Sequence, residues 1–97
     1  MTVLEKQVLD RLSLEAPADN FVFQDKLKQN FPKLTAYDLR LCSYLKANLS
    51  TKEIAIVLNI TPDSAKKAKH RLRKKLNMHP KMSFHYFLET LATSNTR

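Results

Sequence analysis

A chain of 97 residues is long enough for one small domain with a modest core and too short for a typical catalytic domain built around a deep pocket. Apolar residues make up 43% of it, enough to fold, and a single cysteine excludes an internal disulfide framework and fits a reducing, cytoplasmic setting. The net charge of +8 is unevenly divided: residues 1–38 carry five Lys/Arg against six Asp/Glu, residues 39–97 carry twelve against three, and no acid occurs between Asp63 and Glu89, a balance that points to a polyanionic partner.

Residues 1–33 read as a helical extension or linker. Val3, Leu4, Val8, Leu9 and Leu12 predict a short amphipathic helix, Ala16-Pro17-Ala18 predicts its interruption, and Asp19 or Asn20 is expected to cap another helix through Asn30. Glu5, Lys6, Asp10 and Arg11 break any leader-like apolar run, and no segment approaches membrane-spanning length, so no membrane partner is expected. Phe21, Phe23, Leu27 and Phe31 are apolar enough to cover the following domain by packing on its first helix, at Leu39 or Leu41; the functional alternative is dimerisation.

From residue 34 the start signals are regular. Thr35 with Asp38 has the form of a capping box and opens a helix over residues 36–47, with Leu39, Cys42 and Leu45 facing inward and Leu41 beside them. Ser50 with Glu53 repeats the device, and that helix runs to about Leu58 and buries Ile54, Ala55 and Leu58. Thr61 followed by Pro62 is a strong third start, because the N–H that proline lacks is not needed in the first turn. His79-Pro80 interrupts the chain, and Ser83 caps a last helix to about Thr93 with Phe84, Phe87, Leu88 and Leu91 at helical spacing. No stretch alternates with period two or carries a hairpin dipeptide, so the fold class is all-α. Glycine is absent, and Asn48, Asn59 and Asn77 stand where helical patterns stop; each is predicted to take the left-handed conformation in its place.

The most informative segment is Lys66 to Lys75, in which Lys66, Lys67, Lys69, Arg71, Arg73, Lys74 and Lys75 are basic. At helical spacing Ala65, Ala68, Leu72 and Leu76 fall within about 80° of one another, a stripe able to pack on a core, with Asp63, Lys66, Lys67, His70 and Lys74 opposite. A solvated charged face is the bland alternative, but exposed helices usually mix both signs. Like charge held on one short helix repels itself, and a nucleic acid relieves that by neutralisation and counterion release. Only Asn59-Ile60-Thr61 separates this helix from the one before it, which is helix-turn-helix spacing, and small Ala55 and Ala65 suit a close crossing.

Leu34-Thr35, Asp38, Asn48-Leu49-Ser50-Thr51-Lys52-Glu53-Ile54-Ala55, Leu58-Asn59-Ile60-Thr61, Ser64-Ala65-Lys66 and Leu72-Arg73-Lys74-Lys75-Leu76 follow one another at the spacing of a known family. Over about residues 34–92 the chain resembles the LuxR/GerE-type DNA-binding domain that ends many bacterial transcription regulators. Asn48 and Asn77 stand for family glycines, Asp38 for glutamate, Arg40 for a frequent acid and Ala68 for the usual histidine. The resemblance implies a tetrahelical helix-turn-helix bundle over residues 34–97, preceded by the helical extension. It also implies a double-stranded DNA partner, with the helix of about residues 62–76 in the major groove and the helix before it braced across the phosphates. The last helix would carry the homodimer contact, through Phe84, Phe87, Leu88 and Leu91. Phe31-Pro32-Lys33-Leu34-Thr35 before Leu39-Arg40-Leu41-Cys42 looks like members in which this domain follows larger sensory regions, so the chain is expected to be the output part of a sensory or response-regulator protein.

Lys66, Lys67 and His70 project together and correspond to family positions that meet base edges; lysine can donate to guanine and histidine can donate or accept. Asp63 either accepts from cytosine N4 or favours the helix N-terminus. Thr51, Lys52, Thr61, Lys69, Arg71, Arg73 and Lys74 are the phosphate candidates. No cofactor, metal or small-molecule ligand is expected: His70, His79 and His85 lack tight ligand spacing, and the one thiol, Cys42, belongs to another helix. There is no glycine-rich phosphate loop and no nucleophile beside a base, so the chain is not expected to be an enzyme. Two alternatives are a promoter-binding module like region four of sigma factors, with RNA polymerase as a further partner, and a helical adaptor whose basic face grips an acidic protein. The Leu34-Thr35 opening and the sequence after His79-Pro80 weigh against the first.

Overall fold

The computed structural model describes residues 17–93, so the amphipathic segment expected around Val8 and Leu12 lies outside the described residues. Among the described residues five helices follow one another: α1 (Pro17–Asn30), α2 (Ala36–Lys46), α3 (Thr51–Leu58), α4 (Pro62–Lys75) and α5 (Phe84–Thr93). No strand occurs among the described residues, in keeping with the expected all-α class, and none of these helices is long and apolar enough to cross a membrane.

The helix starts follow local chemistry. Thr35 and Ser50 each accept a hydrogen bond from the backbone N–H three residues on, and the Asp38 and Glu53 carboxylates accept one from the cap backbone N–H, so both capping boxes are closed. Thr61 caps α4 through the Ser64 N–H, with Pro62 in the first turn, and Ser83 accepts from the Tyr86 N–H at the head of α5. The exception is α1. It begins at Pro17, where an interruption was expected, and does not wait for Asp19 or Asn20. A proline's fixed φ and missing N–H are harmless in a first turn, so Pro17 opens a helix it could not have continued.

The three helix ends share one solution. Asn48, Asn59 and Asn77 have φ of 64°, 57° and 55°, and are the described residues with positive φ. The N–H after each reaches back five residues, Leu49 to the Tyr44 carbonyl, Ile60 to Ala55 and Met78 to Arg73, while each asparagine N–H bonds three residues back. These are Schellman closures with an apolar residue just beyond the turn. Asparagine tolerates the left-handed region better than other residues bearing a Cβ, which lets a chain without glycine stop three helices sharply.

Packing divides the helices into two groups around one core. α1 lies on α2 and α5, α2 lies on α5, and α3 pairs with α4. Phe23 and Leu27 of α1 are buried with Leu41, Cys42, Leu45 and Leu88, so this helix contributes to the core itself. Gln24 Nε2 donates to Ser43 Oγ at 3.0 Å, Lys26 Nζ donates to the Ala92 carbonyl at 3.1 Å, and the Phe31 and Phe87 rings lie 6.4 Å apart. The Cys42 thiol is pushed up to about 12 by burial and by the Asp38 charge, so it stays protonated and acts as a small core residue.

Candidate nucleic-acid interface

The side chains of α4 sort onto four strips. The inner strip is Ala65, Ala68, Leu72 and Leu76, all buried as the spacing predicts; Ala65 is 0% and Leu72 1% exposed. With Ala55 also buried on α3, two small residues allow the paired helices to approach, and the Asn59 turn between them fixes their crossing. This buried strip sets the orientation of every charge on the helix.

One flank carries Lys69 and Arg73. Lys69 Nζ donates to Thr51 Oγ1 at 3.0 Å and lies 5.9 Å from the Phe84 ring centre. Burial, and then the neighbouring Arg73 charge, lower its pKa from the ordinary lysine value. Arg73 lies over the same ring at 4.4 Å and donates through Nη1 to the carbonyls of His79 and Met82, at 3.1 and 2.6 Å. These two cations tie α4 to α3, to the following turn and to α5.

The opposite flank is held by Lys75, whose Nζ donates to Asp38 Oδ2 at 2.7 Å across 37 residues of sequence. Burial alone would raise the Asp38 carboxyl, but the hydrogen bonds from Lys75 and Thr35, together with the Lys75 charge, outweigh it and hold the group below its ordinary value. Asp38 therefore both caps α2 and anchors the end of α4. Its capping part was legible in Thr35-x-x-Asp38; nothing in the sequence signals its distant partner.

The outer strip is the crest. Lys66, Lys67, His70 and Lys74 are exposed, with Asp63 at its N-terminal end and exposed Arg71 to one side. Lys67 Nζ meets Asp63 Oδ2 at 3.4 Å, one turn apart and in open solvent. The base-readout candidates Lys66, Lys67, His70 and Asp63 thus share one continuous exposed face. Lys52 is exposed on the first turn of α3. The remaining phosphate candidates have internal partners: the Thr51 hydroxyl accepts from Lys69, and the Thr61 hydroxyl accepts from the Ser64 N–H and donates to Ser64 Oγ at 2.9 Å.

The dimer candidates on α5 do not share a surface, which corrects the expectation for two of them. Phe84 is 6% and Leu88 0% exposed: α5 packs on α1 and α2, and Lys69 and Arg73 of α4 lie over the Phe84 ring. Phe87 and Leu91 are half-buried and, with Met82, Tyr86 and Thr90, line a shallow apolar groove on the outer side of α5. Tyr86, outside the Phe84, Phe87, Leu88 and Leu91 stripe, is the most exposed large apolar residue described, at 65%. His85 lies elsewhere, its Nδ1 2.7 Å from the Lys46 carbonyl at the end of α2.

No family model matches the chain, and comparison with curated proteins and with solved structures gives no match.

Proposed function

We propose that the chain binds double-stranded DNA sequence-specifically and regulates transcription, with α3 and α4 acting as a helix-turn-helix and the crest of α4 entering the major groove. The observation that carries the reading is the crest itself: four exposed basic or imidazole side chains on one face of a capped helix whose opposite face is fixed in the core. A major groove about 12 Å wide admits one α-helix, and lysine and histidine supply the donors that base edges accept. Lys66, Lys67 and His70 read bases near the N-terminal end, where Asp63 also stands. Lys52, Arg71 and Lys74 position the domain on phosphates. Lys69, Arg73, Thr51 and Thr61 act through the framework that presents the crest.

This reading keeps the resemblance to LuxR/GerE-type domains, and with it a cytoplasmic output domain of a longer bacterial regulator that pairs as a homodimer on repeated half-sites. The dimer contact then falls on Phe87, Leu91 and Tyr86 along the outer groove of α5, since Phe84 and Leu88 are enclosed. Its test is selection of bound duplexes from a random library by the purified chain, with titration of enriched and scrambled sequences at several salt concentrations. Recovery of a motif with a clear affinity gap is expected. Enrichment of nothing, with duplex DNA failing to displace an acidic protein from the basic face, would transfer the crest to the protein-adaptor reading.

A further inference from the structure

The turn between α4 and α5 is shaped by a cation of α4, and its outward groups are basic. Met78 is buried and Met82 half-buried, so the chain is pinned on both sides of an exposed His79-Pro80-Lys81 tip. Arg73, lying over Phe84, holds the tip from inside through the carbonyls of His79 and Met82. The Lys81 backbone N–H donates to His79 Nδ1 at 3.2 Å, which leaves Nε2 as the ring N–H, and Pro80 between them has a fixed φ. No acid occurs from residue 64 to residue 88 to neutralise this tip by a local pair.

We infer that the His79-Pro80-Lys81 turn is a second DNA contact, outside the helix-turn-helix, which takes a backbone phosphate through the Lys81 ammonium and the His79 Nε2–H. The inference rests on the proposed DNA-binding reading. Distance assigns the turn to backbone and not to bases. Nine residues separate Lys66 from Lys75, about 13.5 Å along α4, which already exceeds a major groove about 12 Å wide. With the N-terminal half of α4 at the base edges, its far end has passed the groove wall and the turn overlies the flanking strand. Because internal bonds already order the turn backbone and the His79 ring, little of their freedom remains to be lost on contact. A contact of this kind adds affinity without sequence preference.

The experiment is titration of a selected and a scrambled duplex with the full chain and with Lys81→Ala, Lys81→Glu, His79→Ala, Lys74→Ala and, as a charge-reversal control on the remote surface of α1, Lys28→Glu. Helical circular dichroism verifies the fold of each. Lys81→Ala is expected to weaken both duplexes by the same factor. Losing one phosphate contact flattens the salt slope by about 0.9, so its affinity deficit shrinks about 3.5-fold between about 50 and about 200 mM salt. His79→Ala is expected to change in the same sense, and Lys81→Glu to exceed Lys28→Glu. Unchanged affinity and slope in Lys81→Ala, beside a clear loss in Lys74→Ala, would overturn the inference and leave the DNA-binding reading intact. Absence of duplex binding by the parent chain overturns both.

Discussion

On the flanks of α4, Lys69, Arg73 and Lys75 each meet a partner inside the fold: Thr51 and the Phe84 ring, the carbonyls of His79 and Met82, and Asp38. On its crest, Lys66, His70 and Lys74 stand in solvent, and Lys67 reaches Asp63 there. The residue types are nearly the same on both strips, and only the surroundings differ. A flank cation that has lost part of its hydration to a carbonyl, a ring or a carboxylate is committed to holding two elements together, whereas a crest cation stays open to an outside partner. The basic run thus leaves a smaller solvent-facing patch than its count suggests, and a better-oriented one, because the flanks stop α4 from rolling on its apolar strip.

Removing the inner strip unsettles flank and crest together. Leu72→Ala leaves a cavity beneath both flanks and is expected to cost about 2–5 kcal/mol of stability, read from the midpoint of urea unfolding. A cost below about 1 kcal/mol would mean that the strip does not fix the helix.

Next in size is Asp38→Ala, which opens the α2 capping box and strands Lys75. A loss of about 2 kcal/mol is expected, scaled down from a fully buried pair because the Lys75 side chain is 43% exposed. The pH dependence has a definite sign. The carboxyl titrates lower in the folded state than in the unfolded chain, so its contribution is fully present above the unfolded value and is lost as pH falls through the folded one. Asp38→Asn should therefore flatten the acid limb of a stability–pH curve and leave the shape near neutrality unchanged. An acid limb identical to the parent's would count against the Lys75 anchor.

Helix placement was legible because its determinants are local: Thr35, Ser50, Thr61 and Ser83 mark starts, Asn48, Asn59 and Asn77 mark stops, and the α4 strip follows from spacing alone. The crest was legible for the same reason. What spacing could not supply is which neighbour a side chain meets. Lys75 and Asp38 are brought together by the fold of α2 and α4, and Arg73 turns toward a loop whose path depends on Phe84. Phe84 and Leu88 look identical to Phe87 and Leu91 in a periodic pattern. They differ because α1 and α2, with the Lys69 and Arg73 side chains of α4, cover one side of α5, and coverage is a tertiary property.

On the crest itself, Lys66→Ala, Lys67→Ala and His70→Ala are each expected to change stability by no more than about 0.5 kcal/mol while altering preference among duplexes by roughly 1–3 kcal/mol where a base contact is lost. Lys74→Ala should weaken all duplexes alike. Preference unchanged in all three of the first set, measured by competition between single-base variants of a selected site, would remove the readout assignment and leave the crest as a non-specific charge.

The smallest effect belongs to Asp63, and it separates two roles that one carboxylate can play. Lying in the first turn of α4 and 3.4 Å from Lys67, both side chains over 70% exposed, it gains little from the ion pair in open water and something from the helix N-terminus. Asp63→Asn should therefore cost less than about 1 kcal/mol of stability. Its effect on DNA is expected to be a modest tightening shared equally by selected and scrambled duplexes, because removing a negative charge from the crest releases Lys67 and lowers repulsion of the phosphates. A cytosine contact predicts the opposite pattern, since the selected duplex alone would lose affinity and the gap would narrow. The affinity ratio between the two duplexes, more than either affinity, is the quantity that decides whether Asp63 serves the helix end or a base contact.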